Sequence, residues 1–239
     1  MSTPPVTTIS PESRIGDLVA ARPALARHFE ELGIDYCCGG KQSLAAVCVA
    51  RGLDLAAVMA RLEAVLARPA NPAEIDPAAM SLTALADHIE ATHHAYLKDE
   101  LPRLVEMADK VAYQHRERDA RLAQVAGLTH ELAEEMLCHL QTEEFILFPL
   151  VRQIDAGEGG RLAAGIADPI RQMEAEHEEA GVALARLRLL TDGFTPGAEA
   201  CNTHRALLDG LAGFEADLHR HVHKENSILF PRALARVAG

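Results

Sequence analysis

At 239 residues the chain is long enough for one large domain or two modest ones. Its 23 lysines and arginines against 35 acidic residues leave a formal charge of −12, which argues against nucleic-acid binding and against an anionic membrane surface. No apolar run reaches the roughly 18 residues that a membrane span needs, and no secretory leader is expected from the first residues, Met-Ser-Thr-Pro-Pro.

Five cysteines, one pair adjacent and none at a disulfide-framework spacing, point to a reducing cytoplasmic interior. Tryptophan is absent and Ala, Leu and Glu are abundant, so an all-α fold is expected. Residues 1–12, with three prolines, are expected to be a disordered lead. Ile15, Leu18, Val19, Leu25 and Phe29 predict two short helices around Arg22-Pro23, stopped by Gly33. The turn Asp35-Tyr36-Cys37-Cys38-Gly39-Gly40 follows. Ser43 then caps a helix over 44–51 and Asp54 another over 55–68. These elements form a small helical domain over 13–68. Three prolines mark a linker over 69–80.

Beyond the linker, four long amphipathic helices are expected over 81–239. Ser81 opens the first, which runs through at least Val111 with a bend at Pro102. Thr129 is expected to cap the second, ending near Ile154, where Gly157, Gly159 and Gly160 break it. The third starts at Pro169 and runs to about Thr191. The fourth spans about 198–236, with a bend at Pro231. Modest connections make an up-down-up-down bundle the simplest arrangement.

One repeat organises this half. His139-Leu-Gln-Thr-Glu143-Glu-Phe-Ile-Leu-Phe-Pro149 recurs as His221-Val-His-Lys-Glu225-Asn-Ser-Ile-Leu-Phe-Pro231. Residues four apart share a helix face, so each copy aims an imidazole and a carboxylate at one point. With a rise of about 1.5 Å per residue, His94, His139, His177 and His221 come to similar heights. The inward set is then His94, His139, Glu143, His177, His221 and Glu225. Two buried carboxylates need a counter-charge, and two metal ions supply it, each on two histidines and both sharing the glutamates. Mixed nitrogen and oxygen ligation with room for an exogenous molecule suits iron, with manganese the alternative.

Several residues compete or assist. His93 competes with His94 on helical arithmetic. His115, 21 residues beyond His94, lies about 31 Å along an unbroken helix and is expected to be exposed. His219 and His223 point to other faces and are expected to be solvated. Glu135 and Glu176 can orient ligand imidazoles from behind, or form plain salt bridges. Cys37 and Cys38 fit a reactive thiol pair, metal donors or a buried turn, whereas Cys48, Cys138 and Cys201 read as small core residues.

The Tyr-Cys-Cys-Gly-Gly turn, Leu101-Pro102, Met173-Glu-x-Glu176-His177-x-Glu179-Ala-Gly181 and Glu225-Asn-x-x-Leu-Phe-Pro-Arg232 together resemble the di-iron proteins that repair iron-sulfur clusters, the repair of iron centres family. The resemblance spans nearly the whole chain. It implies a cysteine-bearing N-terminal domain joined to a hemerythrin-like bundle, with two non-haem irons bridged by Glu143, Glu225 and an oxo group. Distance back from Leu101-Pro102 selects His94 over His93. The implied function is repair of clusters damaged by nitrosative or oxidative stress through iron donation to client proteins, with a redox, docking or transfer role for Cys37 and Cys38. Reduction of nitric oxide and sensing of dioxygen are the alternative uses of such a centre, so whether the protein is an enzyme stays open. A monomer and a homodimer fit equally.

Overall fold

The computed structural model describes residues 9–67, 75–157 and 165–238, and among them helices joined by turns make up the whole fold. The expected all-α class holds. Two compact units arise, one formed by residues 1–85 with 219–239 and the other by residues 86–218.

In the first unit, α1 (Ile15–Ala21), a short 3-10 turn (Pro23–Leu25) and α2 (Ala26–Glu31) precede the cysteine turn. Then come α3 (Leu44–Arg51) and α4 (Leu55–Leu66). Ser43 Oγ accepts from the Ala46 amide at 3.2 Å, and Asp54 Oδ1 accepts from Ala56 at 2.9 Å, the two caps expected. Ile15, Leu18, Leu25, Phe29, Tyr36, Leu44 and Leu62 form the centre of one apolar core. Each such side chain contributes roughly 1.5–3 kcal/mol by leaving water. Of the lead expected over 1–12, residues 1–8 lie outside the described residues, and Ile9 is buried in this core. Residues 68–74, which include the first half of the expected linker, also lie outside; Pro77–Ala79 form a 3-10 turn capped by Asp76.

The second unit is built from four helical rods. The first is α5 (Leu82–Ile89) and α6 (Ala95–His115), joined by a π turn at Glu90–His94; α5 begins in the first unit. The next is α7 (Arg121–Thr142) and α8 (Phe148–Asp155), joined by a π turn at Glu143–Leu147. The third is α9 (Ala167–Leu190). Last is α10 (Asn202–Lys224), whose residues from His219 onward belong to the first unit together with a π turn at Glu225–Leu229 and α11 (Phe230–Ala238). Leu97, Leu101, Leu104, Ala108 and Val111 line the inner face of α6 at helical spacing. α10 approaches α6 so closely at Gly210 that an added Cβ would lie 2.7 Å from Leu104 Cδ2.

Local differences from the expected elements have physical causes. Thr129 is no cap: α7 starts eight residues earlier, at Arg121, and Thr129 Oγ1 bonds back to the Val125 carbonyl at 2.7 Å. A threonine inside a helix can satisfy its hydroxyl this way, so its presence does not mark a start. Gly127 is likewise carried inside α7. Gly157 ends the second rod with φ at +83°, while Gly159 and Gly160 lie outside the described residues.

Candidate metal centre

Each copy of the repeat ends in a Phe-Pro that follows a π turn, and that turn starts at the glutamate: Glu143 in one, Glu225 in the other. Proline lacks the N–H of a regular helix and its ring presses on the carbonyl four residues back, Phe145 or Ser227. Both of these lie inside the widened turns, where the backbone no longer follows the i to i−4 pattern. The third π turn, Glu90–His94, ends on another histidine of the expected set. Insertions of this kind re-aim side chains and recur at functional sites.

Within the second unit, Glu143 is 0% exposed and its two oxygens face two different rings. His94 Nε2 lies 3.3 Å from Oε2, and His139 Nε2 lies 3.4 Å from Oε1. His177 Nε2 approaches His139 Nε2 at 3.0 Å. Nitrogens and a carboxylate oxygen of His139, Glu143 and His177 thus fall within 4.8 Å of one another. On the other side of these rings, His94 Nδ1 is 2.8 Å from Glu144 Oε1, and His139 Nδ1 is 2.7 Å from Glu176 Oε2. A proton on Nδ1 toward each outer carboxylate would turn the Nε2 lone pair of that ring inward, the tautomer a metal requires. Stacking on Phe148 at 5.5 Å further fixes the His94 ring.

The outer carboxylates are held ionised. The His139 contact lowers the Glu176 pKa below the usual carboxylate range. For Glu144, burial works in the opposite direction, but Lys98, at 2.6 Å, and His94 outweigh it and the net shift is downward. Glu176 was among the residues expected to support the site, whereas Glu144 was not. Its signal was the Glu143-Glu144 doublet, in which the helix turns the second carboxylate away from the first. Glu135 lies exposed on α7. His93 is buried, with Nδ1 2.9 Å from Asp217.

In the first unit, His221 Nε2 and Glu225 Oε1 lie 3.0 Å apart, and both residues are fully buried. Their neighbour His223 is buried too, not solvated as expected; its ring sits edge-on to Tyr36 at 5.4 Å, and burial drives its pKa down to about 4. His219 is half-buried against the same tyrosine at 6.2 Å. The core of the N-terminal module covers this face, which helical arithmetic on α10 alone does not register. Cys138 and Cys201 also depart from expectation. They are exposed, and Cys201 Sγ lies 3.3 Å from His115 Nε2 at the far end of α6. Cys48 is buried as expected.

The cysteine turn is organised by Asp35. Its Oδ1 accepts from the amides of Cys37 at 2.9 Å and Cys38 at 3.0 Å, and Oδ2 accepts from Gly39 at 3.1 Å. Cys37 is buried and Cys38 half-buried; burial, then Cys38 and Asp35, push the Cys37 thiol well up. An added Cβ at Gly40 would stand 2.6 Å from the Tyr36 carbonyl, so only glycine fits there.

Comparison with known proteins agrees with this geometry. Residues 85–233 match the hemerythrin HHE cation binding domain, and residues 11–66 match a domain of unknown function, DUF542. An iron-sulfur cluster repair protein YtfE of Musicola paradisiaca is 40% identical over 223 residues, covering 93% of this chain and 96% of that one. The protein of the same name from Enterobacter sp. strain 638 is 36% identical over 92% of this chain and 96% of its own length. That of Salmonella paratyphi B is 37% identical with the same coverage. The chain carries a cation-binding domain and a histidine-glutamate cluster able to hold a metal ion, and it belongs to the family of hemerythrin-domain proteins that includes these YtfE repair proteins.

Proposed function

We propose that this protein holds two iron ions on His94, His139, Glu143, His177, His221 and Glu225, and that it restores damaged iron-sulfur clusters of client proteins in the cytoplasm by supplying iron. In this reading each ion would take two of the histidines, and both would share Glu143 and Glu225. The names of the relatives, iron-sulfur cluster repair proteins, support the role.

One observation carries the metal reading. Glu143 is wholly buried and turns each oxygen toward a separate Nε2, while the Nδ1 atoms of those two rings face outer carboxylates. With the ring protons on Nδ1, an Nε2 lone pair set against a carboxylate oxygen calls for a cation between them, and two such pairings on one carboxylate suit a shared ligand. A wholly buried carboxylate facing two imidazoles is not an arrangement that an apolar core requires.

Bound iron would be the cargo handed to the client. The chain contributes a mixed imidazole and carboxylate cage, which holds ferrous iron less tightly than the thiolates of a cluster site do. Glu144 and Glu176 keep the imidazoles oriented when the ions leave, so the cage can refill without rebuilding its side chains.

The test mixes iron-loaded protein with an enzyme whose cluster has been destroyed, and follows recovery of that enzyme's activity. Wild-type protein is expected to restore it and Glu143→Ala to fail. Failure of both alike would overturn the donor reading, and an iron content well below two per chain in the loaded wild type would overturn the site.

A further inference from the structure

We propose that Asp35, Cys37 and Cys38 form a second metal site, separate from the histidine-glutamate cluster, that takes one thiophilic divalent cation. No function is attached to the domain match that covers this turn. The proposal does not depend on the iron centre.

What the fold requires of the turn is accounted for without the sulfurs. Asp35 gathers three backbone amides, Gly40 permits the close approach to the Tyr36 carbonyl, and Tyr36 fills the core and donates to Glu30 Oε1 at 2.9 Å. Serine or alanine at 37 and 38 would leave all of these in place. None of these bonds uses a sulfur, and Cys37 Sγ adds a contact of its own to Asp35 Oδ1.

Their spacing fits one ion. Two sulfurs each about 2.3 Å from a metal at the tetrahedral angle stand about 3.8 Å apart, and Cys37 Sγ and Cys38 Sγ are 3.8 Å apart. A disulfide would need about 2.05 Å, and joining adjacent residues strains it. Cys37 Sγ lies 3.0 Å from Asp35 Oδ1, and the three donor atoms fall within 4.8 Å of one another. Binding would open the sulfur-oxygen distance to about 3.6 Å, the tetrahedral edge for bonds of roughly 2.3 and 2.1 Å. Three amide bonds hold the carboxylate while this small adjustment occurs.

Electrostatics separate this reading from a nucleophilic one. A carboxylate 3.0 Å from the Cys37 sulfur opposes a bare thiolate, which is what an attacking cysteine needs. A cation reverses that effect. On binding, two S–H bonds break, two metal-sulfur bonds form and two protons leave to solvent, so the net charge of the site is unchanged. Three protein donors leave a fourth position for water or a donor from another molecule, reached on the side of half-exposed Cys38. A closed structural zinc site would have four.

Cobalt(II) is the probe, added to the reduced full-length protein after its histidine-glutamate cluster has been loaded with iron. A thiolate-to-cobalt charge-transfer band in the near ultraviolet is expected to saturate at one equivalent per chain. It should vanish in Cys37→Ser and in Cys38→Ser, and Asp35→Asn should weaken the affinity about tenfold or more. His177→Ala should keep the band, so collapse of the iron centre is distinguishable from loss of this site. Circular dichroism checks that the serine variants are folded. The proposal is overturned if wild-type protein with both thiols reduced shows no band, or if the band survives in the folded serine variants.

Discussion

The two copies of the His-x-x-x-Glu repeat share a local structure and differ in what surrounds them. Both bury the histidine and the glutamate, both open a π turn at the glutamate, and both close it with Phe-Pro. In the first copy the next positions are Glu144, which reaches back to His94, and Phe145 and Ile146, which are 76% and 54% exposed. In the second they are Asn226, Ser227 and buried Ile228. There the π turn meets α1, and a Cβ on Gly16 would lie 2.8 Å from Ser227 Oγ and 3.1 Å from the Gly40 carbonyl. The repeat therefore specifies the buried histidine-glutamate pair and the turn that aims it. The outer face of each copy answers to its own neighbours: an outer carboxylate and open surface in one, the cysteine-bearing module in the other.

The strongest way to break the equivalence of the copies is to remove one glutamate at a time. Glu143→Ala and Glu225→Ala are each expected to abolish stable binding of both irons, a loss beyond the roughly 100-fold that follows when an outer partner of a ligand is removed. Elemental analysis after desalting reads it. A variant that keeps one tightly held iron would show that the glutamate does not bridge.

The second copy should carry an acid sensitivity of its own, through a buried histidine where the first copy has Gln141. His223 is buried with a pKa of about 4, below its ordinary value of 6.5. The unfolded chain therefore takes up a proton that the folded chain refuses, and stability falls as pH drops from about 6.5 toward 4. The difference is worth about 3 kcal/mol in the iron-free protein. Thermal melts of iron-free His223→Gln should lose this part of the pH dependence. Gln141→Ala, at the exposed equivalent in the first copy, should change stability by less than about 0.5 kcal/mol at any pH.

A smaller effect belongs to the outer carboxylates. Glu144→Gln and Glu176→Gln should each weaken iron binding by about 10-fold to 100-fold, measured by competition with a chelator, with the helical circular dichroism unchanged. Both carboxyl groups are shifted downward in the fold, so their support is present above the usual carboxylate range and is lost as pH falls through the lowered values. If neither variant alters affinity, the outer hydrogen bonds do not tune the cage.

Much of this was legible in the residues. The spacing of four in each repeat, the apolar stripes and the caps at Ser43 and Asp54 are local properties of a helix, and they led to an all-α chain with a bundle. The resemblance to the repair family rested on short motifs, and the relatives bear it out. What escaped was non-local. Glu144 became visible as a support only when α6 met the π turn after α7, because a doublet of glutamates looks the same on any solvated helix. His223 and Cys201 were misjudged for opposite reasons. One is covered by a module more than 180 residues earlier in the chain, and the other sits exposed at a helix start.

The sequence by itself determined the helical class, the pairing of His139 and His221 each with a glutamate one turn on, and the glycines of the cysteine turn, since all follow from 3.6-residue periodicity and short-range sterics. Only the tertiary structure decided which nitrogen of each ring faces inward, which carboxylates stand behind them, and that two adjacent thiols lie an ion's width apart. Those depend on distances between groups remote in the chain, or on a turn whose shape a distant core holds, and periodicity carries no information about either.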